Sequence, residues 1–214
     1  MADNYLEKKM EALREVRPKV VRNHPSLDSL LKKNRSHRGY DATVKLSVKA
    51  LRELVSAATL CPSGMNAQSL RFHLVPSEEA QLVHPLVKLG AALPEEHLPH
   101  PGEEPQGYIV ICSARPEDRV VDIDLGIAAQ SILLSAVSRG LNGIVILNFN
   151  PDALQQALDL PLKPLAVLGL GKGNERIFLL PVHQGDSLKY FRKEGVHYVP
   201  KLTVDDLLIQ VADK

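Results

Sequence analysis

From Leu125 to Ser138 the chain carries no charged side chain, although 24% of all its residues are Asp, Glu, Lys or Arg. Asp122 and Asp124 precede this run and Arg139-Gly140 close it. It contains no proline, so it reads as a helix from Asp122 to Arg139, stopped by Gly140. Apolar and small residues cover every side of that helix, which predicts burial all round. At about 1.5 Å per residue the uncharged run is shorter than the ~30 Å hydrocarbon layer of a bilayer. It is therefore read as the central helix of a globular core. In a chain of 214 residues, covering all its sides calls for a second subunit.

The flanking segments supply what would pack on it. Ser47 caps a helix from Val48 to Thr59 with Leu51, Leu54, Val55 and Ala58 on one face. A short helix runs from Pro25-Ser26 to Leu31. Glu78 to Lys88 reads as helical, bent or shortened by Pro85. Asn150-Pro151-Asp152 starts a helix through Leu158, and Thr203 caps a last one, Val204 to Val211. Strands are expected at Leu70–Val75, Tyr108–Ser113, Ile144–Leu147 and Pro164–Leu170, with a further one at Ile177–Leu180 inside an otherwise irregular stretch, 174–200. Gly90 to Gly107, with four prolines, is the longest irregular segment and a candidate lid. This alternation places the fold in the α/β or α+β class.

Composition excludes several functions. Lys plus Arg (26) nearly equals Asp plus Glu (25), for a net charge of +1, so nothing electrostatic favours nucleic acid or a membrane surface as partner. Aromatic residues make up 4%, too few for a base-stacking platform. Two cysteines, Cys61 and Cys112, form neither a disulfide framework nor a zinc site by themselves. Residues 1–24 read as an amphipathic helix (Leu6, Met10, Leu13, Val16, Val20). Asp3, Glu7, Glu11 and Glu15 and the lack of a continuous apolar stretch argue against a targeting peptide. The cytoplasm is the expected compartment.

Five groups of residues can carry chemistry. Arg35-Ser36-His37-Arg38 places two guanidiniums and a hydroxyl where they can converge on a phosphate; its bland reading is a solvated basic turn. Cys61-Pro62-Ser63-Gly64-Met65-Asn66-Ala67-Gln68 ends a helix in a turn rich in amides, able to hydrogen-bond a planar heterocycle. Gly169-Leu170-Gly171-Lys172-Gly173 has the spacing of neither a P-loop nor a dinucleotide fingerprint, and reads as a strand end with a turn. Asp122 and Asp124 suit a helix N-terminus better than a Mg²⁺ site. His84, His97 and His100 lie among prolines that exclude helical metal spacing, so they and Glu103 and Glu104 are read as solvated loop residues.

The order of these segments resembles the nitroreductase family of flavoproteins. The resemblance runs from about Leu30 to the C-terminus: Arg-Ser-x-Arg, then Pro-Ser-x-x-Asn-x-Gln before a strand, then the long Asp-x-Gly-x-x-x-Gln helix and a Leu-Gly strand end. The tail Gly195-Val196-His197-Tyr198-Val199-Pro200-Lys201 is similar to a branch of small members. The resemblance implies an α+β fold, a central, mostly antiparallel sheet flanked by helices, in an intertwined homodimer with FMN at the interface. Residues 1–29 would be an N-terminal helical extension and 30–214 the FMN-binding domain. By motif match, Arg35, Ser36, His37 and Arg38 would hold the phosphate and ribityl chain, and Lys201 would supply a further cation. Pro62, Ser63, Gly64 and Asn66, from the other subunit, would line the isoalloxazine. Ile146, Leu147 and Asn148 would form the strand end whose amides approach the flavin. The implied activity is an FMN-dependent oxidoreductase passing electrons from NAD(P)H to nitroaromatic, quinone or related small acceptors by a ping-pong mechanism, with no protein nucleophile and no metal. The chain departs from the pattern at Gln68-Ser69, Leu70-Arg71, Asn148 and Leu202. These departures keep open an FMN-binding protein of the same fold without that turnover, such as a flavin carrier, sensor or flavin-modifying enzyme.

Overall fold

The computed structural model describes residues 25–209; the amphipathic N-terminal helix expected before Pro25 lies outside them. The helices are α1 (Leu27–Lys33), α2 (Val48–Val55), α3 (Arg119–Ser138), α4 (Pro151–Ala157) and α5 (Val204–Leu207). The strands are β1 (Leu70–Val75), β2 (Gly107–Ser113), β3 (Asn142–Ile146), β4 (Pro164–Gly171), β5 (Arg176–Val182), β6 (Phe191–Lys193) and β7 (Val196–Leu202).

A four-stranded sheet of order β1-β2-β4-β3, antiparallel at every pairing, forms the centre of an α+β fold. Strand β2 lies inside it and is buried along nearly its whole length. Side chains alternate across a strand, so β2 divides between two cores. Ile109 and Ile111 face Leu51 and Leu54 of α2 and Ala129, Ile132, Leu133 and Ala136 of α3. Tyr108, Val110 and Cys112 face the other way, toward Val83, Leu154 of α4 and Leu160. The sheet is thus covered on both faces.

Local signals set the helix starts. Ser26, Ser47 and Asn150 cap α1, α2 and α4 by accepting a backbone N–H three residues on, and Pro151 occupies the first turn of α4, where its missing N–H costs nothing. Helix α3 begins earlier than its acidic pair suggests: Asp118 accepts Val121 N–H at 2.8 Å, and Val120, Val121 and Ile123 extend the apolar run forward. Its 20 residues, with a mean hydropathy of 1.7 over the most apolar 18, therefore do reach the length of a bilayer span. In this fold, however, one face packs on the sheet through Val121, Ala128, Ala129, Ile132, Leu133, Ala136 and Val137. Within one chain burial is one-sided: Ile123, Gly126 and Gln130 on the opposite side are exposed.

Three other expectations are corrected. The segment 78–88 forms two short 3-10 turns, Ala80–Leu82 and His84–Leu86, since Pro85 has no N–H with which to continue a helix. The stretch 174–200 is not irregular: β5, β7 and β6 form a second sheet in that order, parallel between β5 and β7 and antiparallel between β7 and β6. The 90–107 segment is tied down rather than free. Leu93 and Leu98 are buried, Glu103 O accepts Tyr40 N–H at 3.0 Å, and its carboxylate accepts Asn174 Nδ2 at 2.9 Å.

Candidate functional site

The Arg35–Tyr40 segment lies across the end of the central sheet. Ser36 makes a single bridge to Gly143 of β3, and His37 N–H donates to Gly143 O at 3.3 Å. The fully buried Tyr40 hydroxyl donates to His37 O at 2.9 Å. What makes room for this segment is the Gly171-x-Gly173 spacing at the end of β4. Alternate residues of a strand share a face. A Cβ on Gly171 would stand 2.8 Å from Tyr40 Cδ1, and one on Gly173 would stand 2.1 Å from His37 Nδ1. The glycines therefore clear one face for two rings, which explains a motif that fits no phosphate-loop spacing.

A cleft of about 280 Å³ opens above the segment, lined by Asn34, Arg35, Ser36, Arg38, Ile177, Tyr190, His197, Val199 and Lys201. The Arg35 guanidinium donates to Leu31 O at 2.8 Å, and its partial burial lowers its pKa. The buried Arg38 donates from Nη1 to Ser36 O at 3.0 Å and lies 4.8 Å above the Tyr190 ring. The Nε atoms of both arginines are buried without a hydrogen-bond partner. His37 does not line the cleft; it is buried, and its pKa is lowered to about 4 by burial and then by Arg38, His197 and Arg35. His197 is likewise lowered to about 4, by burial and then by Arg38 and Arg192. Both imidazoles are neutral near pH 7.

Lys201 reaches the cleft from β7. Counting back by twos from it gives Val199 and His197, the other β7 residues on the wall, so strand alternation alone could have found them once β7 was recognised. Tyr190 and Ile177 carried no such signal.

The Pro-Ser-Gly turn lines a different cleft, of about 340 Å³, in which Pro62, Ser63, Asn66, Gln68, Arg71, Phe72 and Asp124 take part. Asp124, on α3 and almost fully buried, holds the turn: it accepts Ser63 Oγ at 2.7 Å and Gly64 N–H at 3.0 Å. Ser63 Oγ in turn accepts Gln68 N–H at 3.0 Å. Gly64 packs directly on α3, where a Cβ would stand 2.3 Å from Val120 Cγ1. Met65, Asn66 and Gln68 all adopt positive φ (52°, 51° and 45°). Thus Asp124 anchors the turn, while Asp118 caps α3; among the described residues no group of three or more His, Cys, Asp and Glu side chains is arranged to hold a metal.

In one chain the two clefts share no lining residue. Ile146, Leu147 and Asn148 line neither of them. Ile146 is buried with its Cδ1 against Gly169, Leu147 and Asn148 are exposed beyond the end of β3, and Asn148 O accepts Lys88 N–H at 2.9 Å.

Comparison with known proteins adds to this geometry. A family model described as the nitroreductase family matches residues 31–172. Over 52 residues the chain is 40% identical to the Bacillus subtilis protein named "Putative NAD(P)H nitroreductase YdgI"; the match spans 24% of this chain and 25% of that relative's length. Solved structures share the fold. A nitroreductase family protein of Clostridium difficile 630 matches with a TM-score of 0.55 at 23% identity, over 71% of this chain and 86% of that one. An Exiguobacterium sibiricum 255-15 protein described as a "putative nitroreductase", solved in complex with FMN, matches with a TM-score of 0.57 at 19% identity, over 73% and 92% of the two chains. A Clostridium difficile R20291 protein described as an FMN-dependent nitroreductase matches with a TM-score of 0.55 at 22% identity, over 70% and 89%.

Proposed function

The chain belongs to the nitroreductase family, and on that premise we propose that it is an FMN-dependent oxidoreductase passing electrons from NAD(P)H to nitroaromatic, quinone or related small acceptors. The observation that carries the reading is the convergence of Arg35, Ser36 and Arg38 with Lys201, from opposite ends of the described chain, on one cleft.

The residues present fit a flavin phosphate. Three cations and a hydroxyl surround the cleft, and two guanidinium Nε–H groups are buried without an acceptor. A phosphate dianion needs a few charge-assisted donors rather than a basic surface, which agrees with a net charge of only +1. Arg35, Arg38 and Lys201 would hold the phosphate, with Ser36 as a neutral donor. The Tyr190 ring under Arg38 keeps its guanidinium in place. His37, neutral beneath the segment, fills space without adding charge.

The Pro62-Ser63-Gly64-Asn66 turn would line the isoalloxazine from a second copy of the chain. Its separation from the phosphate cleft within one chain supports a shared site between two copies. The exposed Leu60, Met65 and Ile123 support a partner covering that side of α3. FMN, once bound, supplies the hydride and electron transfer; this chain's residues bind it, orient it and exclude water. A ping-pong sequence with a single acceptor cleft, and a cytoplasmic location consistent with two free thiols, belong to the same proposal.

The test begins with the absorbance spectrum of the purified full-length protein, which should show bound flavin. Arg38→Ala should weaken FMN binding about 10- to 100-fold, the loss of one or two charge-assisted hydrogen bonds. Unchanged retention would remove the phosphate assignment. Anaerobic addition of NADH or NADPH should bleach the flavin. Flavin that stays oxidised with both would leave the binding protein without turnover, the reading that the departures at Gln68-Ser69 and Asn148 support.

A further inference from the structure

Glu175 lies just before β5, and its side chain is 9% exposed. It matches no family motif and lines no wall of the arginine cleft. Yet its carboxylate sits at the junction of three segments. One oxygen accepts the backbone N–H of Arg38, in a short contact, and that of Gly39 at 3.3 Å. The other accepts the Arg192 guanidinium of β6, which also reaches Glu96 of the 90–107 segment at 3.7 Å. His37 Nδ1 lies 3.7 Å from it.

A carboxylate directly beneath a set of cations meant for an anion is electrostatically out of place. Its field opposes a bound phosphate, and burying it has a desolvation cost. What it gives in return is geometric. Two successive backbone N–H groups are tied to it, which fixes the peptide on which the Arg38 side chain is mounted. Those N–H groups are then no longer available to a ligand, so an anion in the cleft is held by the side chains of Arg35, Ser36, Arg38 and Lys201 rather than by a backbone cradle.

We propose that Glu175 is a positioning residue for the cofactor phosphate: it locks the Arg38–Gly39 backbone, with Arg192 as its counter-charge, so that Arg38 faces the cleft. This rests on the FMN reading above and extends it to a residue outside the cleft. The two possible roles of the carboxylate have opposite signs. If it acted mainly through its field, neutralising it would tighten FMN binding. If it positions the segment, neutralising it weakens FMN binding and leaves the phosphate-free flavin untouched.

The experiment is a fluorescence titration of full-length apoprotein, wild type and Glu175→Gln, with FMN and with riboflavin. The wild type should prefer FMN. In Glu175→Gln the dissociation constant for FMN should rise about tenfold or more, the scale of a hydrogen bond to a charged group, while that for riboflavin stays within about twofold. Tighter or unchanged FMN binding, or equal weakening of both flavins, overturns the proposal. Glu175→Asp, which keeps the charge but shortens the arm, should show the same selective loss, and wild-type FMN affinity in that variant overturns it equally, even should Glu175→Gln fail to fold. A wild type that binds neither flavin defeats the cofactor reading itself. A discriminating wild type with discriminating variants defeats only the role of Glu175.

Discussion

Replacing Asp124 by alanine tests whether one buried carboxylate holds the Pro-Ser-Gly turn in a conformation that its sequence disfavours. Three non-glycine residues of the turn, Met65, Asn66 and Gln68, have positive φ. Such a conformation costs about 1–2 kcal/mol for an ordinary side chain and less for Asn, so Met65 and Gln68 together store roughly 2–4 kcal/mol. Against this stand two hydrogen bonds to the Asp124 carboxylate, from Ser63 Oγ and Gly64 N–H, each worth about 1.5–3 kcal/mol. The anchor thus slightly exceeds the strain. In Asp124→Ala the turn should relax away from α3, with a loss of about 2–4 kcal/mol in unfolding free energy. Part of the lost bonding is offset by strain relief and by water reaching the half-exposed turn. Asp124→Asn should lose less, about 1–2 kcal/mol, because its oxygen can still accept Gly64 N–H. Its amide, however, meets a Ser63 oxygen already accepting Gln68 N–H. Urea unfolding followed by circular dichroism on the full-length protein measures both. Asp124→Ala within about 0.5 kcal/mol of wild type would refute the anchoring argument, as would an alanine variant more stable than the asparagine one.

Two further outcomes follow from the buried His37 ring and the glycine packed on it. Gly173→Ala places a Cβ 2.1 Å from Nδ1 and 2.6 Å from Cγ of the buried His37 ring; displacing that ring should cost about 1–3 kcal/mol of stability and weaken FMN binding, and a variant matching wild type in urea unfolding and flavin titration would refute the steric role. His37 is held neutral in the fold down to about pH 4, whereas the unfolded chain protonates near 6.5. The unfolded state therefore binds more protons between those values, and stability present above pH 6.5 should fall as pH drops toward 4, by up to about 3 kcal/mol from this group. Urea unfolding at pH 7 and 4.5 checks this, and a His37→Asn variant with the same pH slope as wild type would refute the assignment.

Much of the central fold was legible because it follows local rules. Alternation in β1 and continuous apolar runs in β2 and β4 marked these strands within a residue of their observed limits. Ser26, Ser47 and Asn150 announced their helices through a capping oxygen that acts three residues away. The uncharged Leu125–Ser138 run called for a helix covered on every side; a helix lies there, but within one chain only the face on the sheet is buried. The Arg35–Arg38 segment was legible as a possible phosphate site from its own spacing, but Lys201 joined it only through family resemblance, since most of the described chain separates them and no spacing rule connects them. Tertiary structure decided the rest. Whether Gly171 and Gly173 were part of a phosphate loop or a cleared face depended on the Tyr40 and His37 rings, which arrive from 131 (Tyr40 to Gly171) and 136 (His37 to Gly173) residues away in sequence. Likewise, Asp124 became the anchor of a turn and Glu175 the support beneath an arginine because folding brought donors to them. A residue's neighbours along the chain determine its backbone preferences, but the partner of a buried charge is set by where distant segments meet.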